Sequence, residues 1–156
     1  MPSAAPEFSR AAIKEIVRVG DPYLWIDEVV ALSDEQIVAR KFLDPGLPIF
    51  QAHYRDFPLF PGALQCEAAF QASAILIART MPASPGHVPV IARVRNTKFR
   101  SMARPGEMLE IIVSQRGRIA KAVDLHGKLT ADGRTTTELR FTATEAPVTT
   151  ATAGTG

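Results

Sequence analysis

The spacing of apolar and polar positions changes period along the chain. Behind Ser9, Ile13, Ile16 and Val17 recur at helical spacing, and a serine hydroxyl can accept from a free N–H of a first turn, so a short one-sided helix is predicted. From Tyr23 to Leu32 and from Gln36 to Phe42 the residues are β-branched and aromatic, and Ser33-Asp34-Glu35 between them reads as a hairpin turn. A Pro-punctuated loop, Asp44 to Pro61, follows. The segment Gly62 to Met81 then carries Ala, Leu, Phe and Ile on nearly every side, with Gln65, Glu67 and Gln71 as its polar interior positions, which describes a buried helix. Pro82, Pro85 and Gly86 end it. Four apolar-rich stretches close the pattern, at about 88–100, 108–115, 119–130 and 135–144, with Arg116-Gly117 and Asp132-Gly133 placed as tight turns between the last three.

This order predicts an α+β fold in which an antiparallel β-sheet wraps around one long buried central helix. The chain of 156 residues, 46% of them apolar, has the size and composition of one core-forming domain, expected over residues 9–145. Residues 1–8 and 146–156 are small, polar or Pro-rich, and disorder is expected there. The formal net charge of +2 shows no global excess that would point to nucleic acid or an anionic membrane. One cysteine excludes an internal disulfide, the histidines are far apart, and no apolar run approaches the roughly 18 residues of a membrane span. A cytoplasmic protein without metal or cofactor is expected.

Chemistry gathers around the start of the buried helix. Pro61-Gly62 sets a turn directly before it, so the first backbone N–H groups, unpaired by helical geometry, face the preceding loop and can hold a carbonyl. Glu67 lies in the first turns of this apolar helix, where desolvation favours the protonated carboxyl and makes it a candidate general acid. His53, just upstream, carries an imidazole, which titrates near neutrality and serves as a base when another group orients it. Dehydration of a 3-hydroxyacyl thioester needs a base for the C2 proton, an acid for the C3 hydroxyl and a polarised carbonyl, and His53, Glu67 and the Gly62 amide supply one each. Gln71, one turn beyond Glu67, is placed to hydrogen-bond it.

The stretch from His53 to Ala68 resembles the 3-hydroxyacyl-acyl-carrier-protein (ACP) dehydratases. Their motif His-Phe-Pro-Gly-x-Pro-x-x-Pro-Gly-x-Leu-x-x-Glu-Ala is matched in register by His53, Pro58, Pro61, Gly62, Leu64, Glu67 and Ala68. The similarity extends to Asp21–Val29, which resembles the family's Tyr-Pro-Phe-Leu-Leu-Val-Asp-Arg-Val, and to Lys98-Phe99-Arg100 with Arg104-Pro105-Gly106-Glu107. About residues 12–143 are covered. The resemblance implies a hot-dog fold and a homodimer or trimer of dimers. It also implies a site shared between subunits, with the histidine from one and the acid from the other, acting on a chain carried by ACP. Catalytic roles fall on His53 and Glu67, and substrate binding on Pro61, Gly62, Leu64 and Gln71. Glu67, where related dehydratase-isomerases carry Asp, points to the dehydrating branch. Two segments depart from the family. Tyr54-Arg55-Asp56-Phe57 stands in place of Phe-Pro-Gly-x, and Arg18-Val19-Gly20 in place of Pro-His-Arg, which suits polyketide or polyene assembly better than housekeeping lipid synthesis.

The basic run Arg93, Arg95, Lys98, Arg100 and Arg104 has two readings, a solvated strand face or a docking surface for the acidic carrier protein. Cys66 reads as a small core residue, and His87 and His126 as structural or exposed positions. Rival functions for the whole chain are a hot-dog acyl thioesterase and a non-catalytic acyl-binding subunit.

Overall fold

A computed structural model describes residues 8–149. The chain runs through α1 (Arg10–Val17), β1 (Glu28–Leu32), β2 (Gln36–Phe42), α2 (Ile49–Ala52), α3 (Gly62–Thr80), β3 (His87–Phe99), β4 (Met108–Ile119), β5 (Ala122–Ala131) and β6 (Arg134–Pro147). The six strands form one antiparallel sheet in the order β1-β2-β4-β5-β6-β3. Helix α3 lies on one face of it and touches every strand from β2 to β3, so its Ala, Ile and Leu side chains meet the inward residues of the sheet in a single core. This is the sheet-around-a-helix architecture that the hydrophobic pattern predicts.

Small residues set the distance between helix and sheet. A Cβ added at Gly127 on β5 would lie 2.8 Å from Leu139 Cδ2 and 3.4 Å from Ala69 Cβ on α3, so the glycine and the alanine together let the two layers approach. Helix α1 is fastened at its start. The Ser9 hydroxyl accepts from the Ala12 N–H, and Arg10 donates to Ile26 O at 2.9 Å and Asp27 Oδ1 at 2.8 Å, tying α1 to the approach of β1.

Three local expectations change, and one turn holds. The first strand begins at Glu28 rather than Tyr23, because the Tyr23 carbonyl and the Trp25 N–H bond the Gln71 side chain instead of a neighbouring strand. The β4–β5 turn is Ala120-Lys121, not Arg116-Gly117. Ile119 pairs with Ala122, Ala120 takes φ 52°, and Arg116 is passed over in a register shift between Gln115 and Gly117, as a bulge requires. The β5–β6 turn is Asp132-Gly133 as predicted, with φ 48° and 76° at its two residues. Ala146 and Pro147, expected to open the disordered tail, pair with Val88 and His87 at the end of β6, and the Val148 N–H donates to Gly86 O. The disorder expected for residues 1–7 and 150–156 lies outside the described residues.

Candidate active site

The start of α3 is held from three sides. Pro61 precedes the helix with extended backbone, and its carbonyl accepts from the N–H groups of Leu64 and Gln65, which leaves the Gly62 and Ala63 N–H groups outside the helical ladder. The Phe60 N–H donates to Ala103 O at 2.8 Å. Buried Gln65 donates to Phe60 O at 3.3 Å and accepts from the Thr137 hydroxyl at 2.8 Å, so β6 pins the turn. The Phe99 ring, at the end of β3, lies over the helix start, where a Cβ on Gly62 would come within 2.5 Å of it. Any side chain at this position would have to displace the ring, and the N–H groups left outside the helical ladder border an apolar wall. Leu64 packs against the core beneath them.

Glu67 is half-buried on the next turn. Burial pushes its carboxyl above the ordinary glutamate range, and a hydrogen bond of 3.1 Å from Gln71 Nε2 to Glu67 Oε1 pulls part of the way back. Gln71 has little freedom to do otherwise. It is buried, donates also to Tyr23 O at 2.8 Å, and accepts from the Trp25 N–H at 2.8 Å, so one side chain joins the acid to the segment before β1. The Tyr23 phenol is held above its usual range, first by burial and then by the charge of Glu67. Trp25 packs edge-on against Phe60 and Tyr23 at centroid distances of 5.2 and 6.3 Å, and its buried indole N–H has no hydrogen-bond partner. A cavity of about 170 Å³ opens beside Glu67 and Gln71, walled by Val17, Val19, Phe70 and Ile91 among others.

His53 ends α2, the helical turn inside the loop after β2 that the hydrophobic pattern does not reveal. Its Nδ1 lies 3.4 Å from Leu59 O, and its ring meets the Tyr54 ring edge-on at 4.5 Å. Tyr54 takes φ 55° and the Phe57 N–H closes back onto Tyr54 O, so the residues that replace Phe-Pro-Gly build a turn of their own with a left-handed non-glycine residue. Within one chain His53 and Glu67 share no hydrogen bond, and His53 does not line the cavity beside Glu67.

The domain family described as FabA-like matches residues 20–140. The 3-hydroxyacyl-ACP dehydratase FabZ of Ruminiclostridium cellulolyticum is 33% identical over 143 residues, covering 86% of this chain and 96% of the relative. The chain belongs to the 3-hydroxyacyl-ACP dehydratase family. FabZ of Erythrobacter litoralis is 35% identical over 124 residues, 78% of this chain and 82% of that one. Two solved structures share the fold. One is the dehydratase heterocomplex ApeI:P from Xenorhabdus doucetiae, with TM-score 0.70, 15% identity, and 86% of this chain and 90% of that chain covered. The other is a hypothetical thioesterase with coenzyme A from Streptococcus pneumoniae, with TM-score 0.67, 14% identity, and 89% and 100% covered. The hot-dog fold is thus common to dehydratase and thioesterase names, and membership of the dehydratase family rests on the sequence relatives.

Of the basic run, Arg95 is paired with Asp124 at 2.8 Å and Arg100 with Glu138 at 2.5 Å, whereas Arg93 and Lys98 make no ion pair among the described residues. Cys66 is buried, as its reading as a core residue predicts. His87 sits with Nδ1 3.0 Å from Pro85 O. Among the described residues, no group of three or more His, Cys, Asp or Glu could hold a metal ion, and no helix is long and apolar enough to cross a membrane. The contributions of Tyr23, Trp25 and Phe99 escape sequence reasoning, because an aromatic residue in an apolar run reads the same whether it packs the core or borders a site.

Proposed function

We propose that this protein is a cytoplasmic 3-hydroxyacyl-ACP dehydratase, and that its working unit is a homodimer, or a trimer of such dimers, with His53 of one subunit facing Glu67 of the other. The observation that carries the reading is Glu67: a carboxyl raised by burial, held by Gln71, and set one turn beyond free N–H groups at the start of α3. The thioester carbonyl accepts from the Gly62 N–H, which stabilises negative charge as it develops on that oxygen. His53 takes the C2 proton, and the C3–O bond breaks as Glu67 delivers its proton to the leaving hydroxyl, giving water and the trans-2-enoyl thioester. Proton exchange with water returns both side chains to their starting states.

The second subunit is supported by β3. It is an edge strand of 13 residues whose outer side pairs with nothing among the described residues, with Val94 and Phe99 exposed on it, a surface that invites pairing with a second copy. Arg93 and Lys98, exposed and unpaired on the same strand, suit steering of an acidic carrier protein. The departures at Arg18–Gly20 and Tyr54–Phe57 favour polyketide or polyene assembly as the setting.

The test is to incubate the purified protein with a 3-hydroxyacyl-ACP thioester and follow enoyl absorbance and free thiol together. Enoyl product without thiol is expected. Thiol without enoyl identifies a thioesterase, and neither product leaves an acyl-binding subunit; both results overturn the proposal.

A further inference from the structure

The cavity beside Glu67 does not stop at Gln71. It shares Val17, Ala74, Ile77, Pro89 and Ala143 with a larger cavity of about 360 Å³, so one groove follows the side of α3 from the acid toward the end of the helix. Ala74 and Ala78, four residues apart on α3, take little of its width, and from Glu67 to Ala78 the helix rises about 16 Å. Aliphatic walls of this length suit a hydrocarbon chain. The far end is different, since Glu15, Arg18, His87, Lys121 and Glu145 all border it. A methyl terminus brought there would strip water from charged groups and return no hydrogen bond.

Existing partners decide which of these groups is available. Glu145 accepts from the Ser84 N–H at 2.9 Å and the Ser84 hydroxyl at 2.5 Å, and Lys121 stands 3.9 Å from the same carboxylate. Arg18 makes no ion pair among the described residues. Its backbone ends α1 in the left-handed region, φ 57° and ψ 30°, with its N–H on Lys14 O at 2.8 Å, and the residue borders the groove. This residue falls in the segment Arg18-Val19-Gly20, which stands in place of the family's Pro-His-Arg.

Resting on the dehydratase reading, we propose that the substrate is a 3-hydroxyacyl chain long enough to pass Ala78 and ending in an oxygen acceptor, which the Arg18 guanidinium receives. A guanidinium offers several N–H donors and pairs with a carboxylate, or with a hydroxyl or phenol oxygen.

The experiment compares kcat/KM for four ACP thioesters: 3-hydroxybutyryl, 3-hydroxydodecanoyl, and the dodecanoyl analogues bearing a terminal carboxylate or a terminal hydroxyl. The expected result is a preference of about tenfold or more for at least one polar-ended chain over the methyl-ended one, as a charge-assisted hydrogen bond supplies. Arg18→Met is expected to erase that preference, with the carboxylate arm falling further than the hydroxyl arm if a carboxylate is the natural end. Ala78→Phe, on an exposed helical position, is expected to lower the ratio of long-chain to butyryl turnover. A wild-type preference for the methyl end, or a polar preference that survives Arg18→Met, overturns the inference while leaving the dehydratase reading in place. Failure to turn over even the butyryl thioester overturns both.

Discussion

At the scale of single residues, Glu67 combines a chemical advantage with a thermodynamic liability. Its folded-state pKa is raised by burial, so the native protein holds that proton more tightly than the unfolded chain does. The associated stability is complete below the ordinary glutamate value and is lost as pH rises through the folded one. Glu67→Gln keeps an acceptor for Gln71 and removes the ionisation. Thermal melts from pH 4 to 8 are therefore expected to show the variant gaining on the wild type as pH rises, while dehydration falls by about 10²–10⁴-fold. A stability difference that stays flat across that range would refute the linkage. The interval from His53 to Glu67 and the one-turn offset of Gln71 are legible in the sequence because spacing on a loop and a helix carries them. What Gln71 does is not. Its bonds to the Trp25 N–H and Tyr23 O belong to backbone that reads as strand, since a β-branched and aromatic run looks the same whether a strand or a side chain satisfies it.

At the scale of elements, α3 meets the sheet closely where Gly127 faces Ala69. Gly127→Ala places a Cβ 2.8 Å from Leu139 Cδ2 in a fully packed region, and a loss of about 1–3 kcal/mol in urea denaturation is expected. Pairing it with Leu139→Val, which shortens the side chain by one methylene, should recover part of that loss. The buried helix and the Asp132-Gly133 turn are readable in advance because hydrophobicity on all sides and an Asp-Gly pair are strong local signals. The β4–β5 turn is not, since Ala120 adopts a left-handed φ without the chemistry that normally announces one, and Gly117 serves a bulged strand. Helix α2 is too short for any periodicity to reveal.

For the whole molecule, the decisive question is whether one chain holds a complete site. His53 and Glu67 share no hydrogen bond within a protomer, and β3 leaves a long edge open, so complementation between inactive variants is expected. Mixing His53→Ala with Glu67→Gln, after mild dissociation and reassociation, should restore up to about a quarter of the wild-type rate, because half of the dimers then carry one intact site. No recovery, with subunit exchange verified by mass, would place both groups in one chain. The layer architecture is legible from hydrophobic pattern alone, whereas the open edge at β3 is not, because an edge strand and an interior strand share one alternation until the sheet order is known.

Trp25 gives the molecule a built-in optical readout. It is the only tryptophan in the chain, its indole N–H is buried without a partner, and its backbone N–H rests on the side chain that holds Glu67. Its emission is expected to lie to the blue of an exposed indole in the folded protein and to move to the red on unfolding. A titration across the Glu67 transition should perturb its intensity, so occupancy and protonation of the site can be followed without a label.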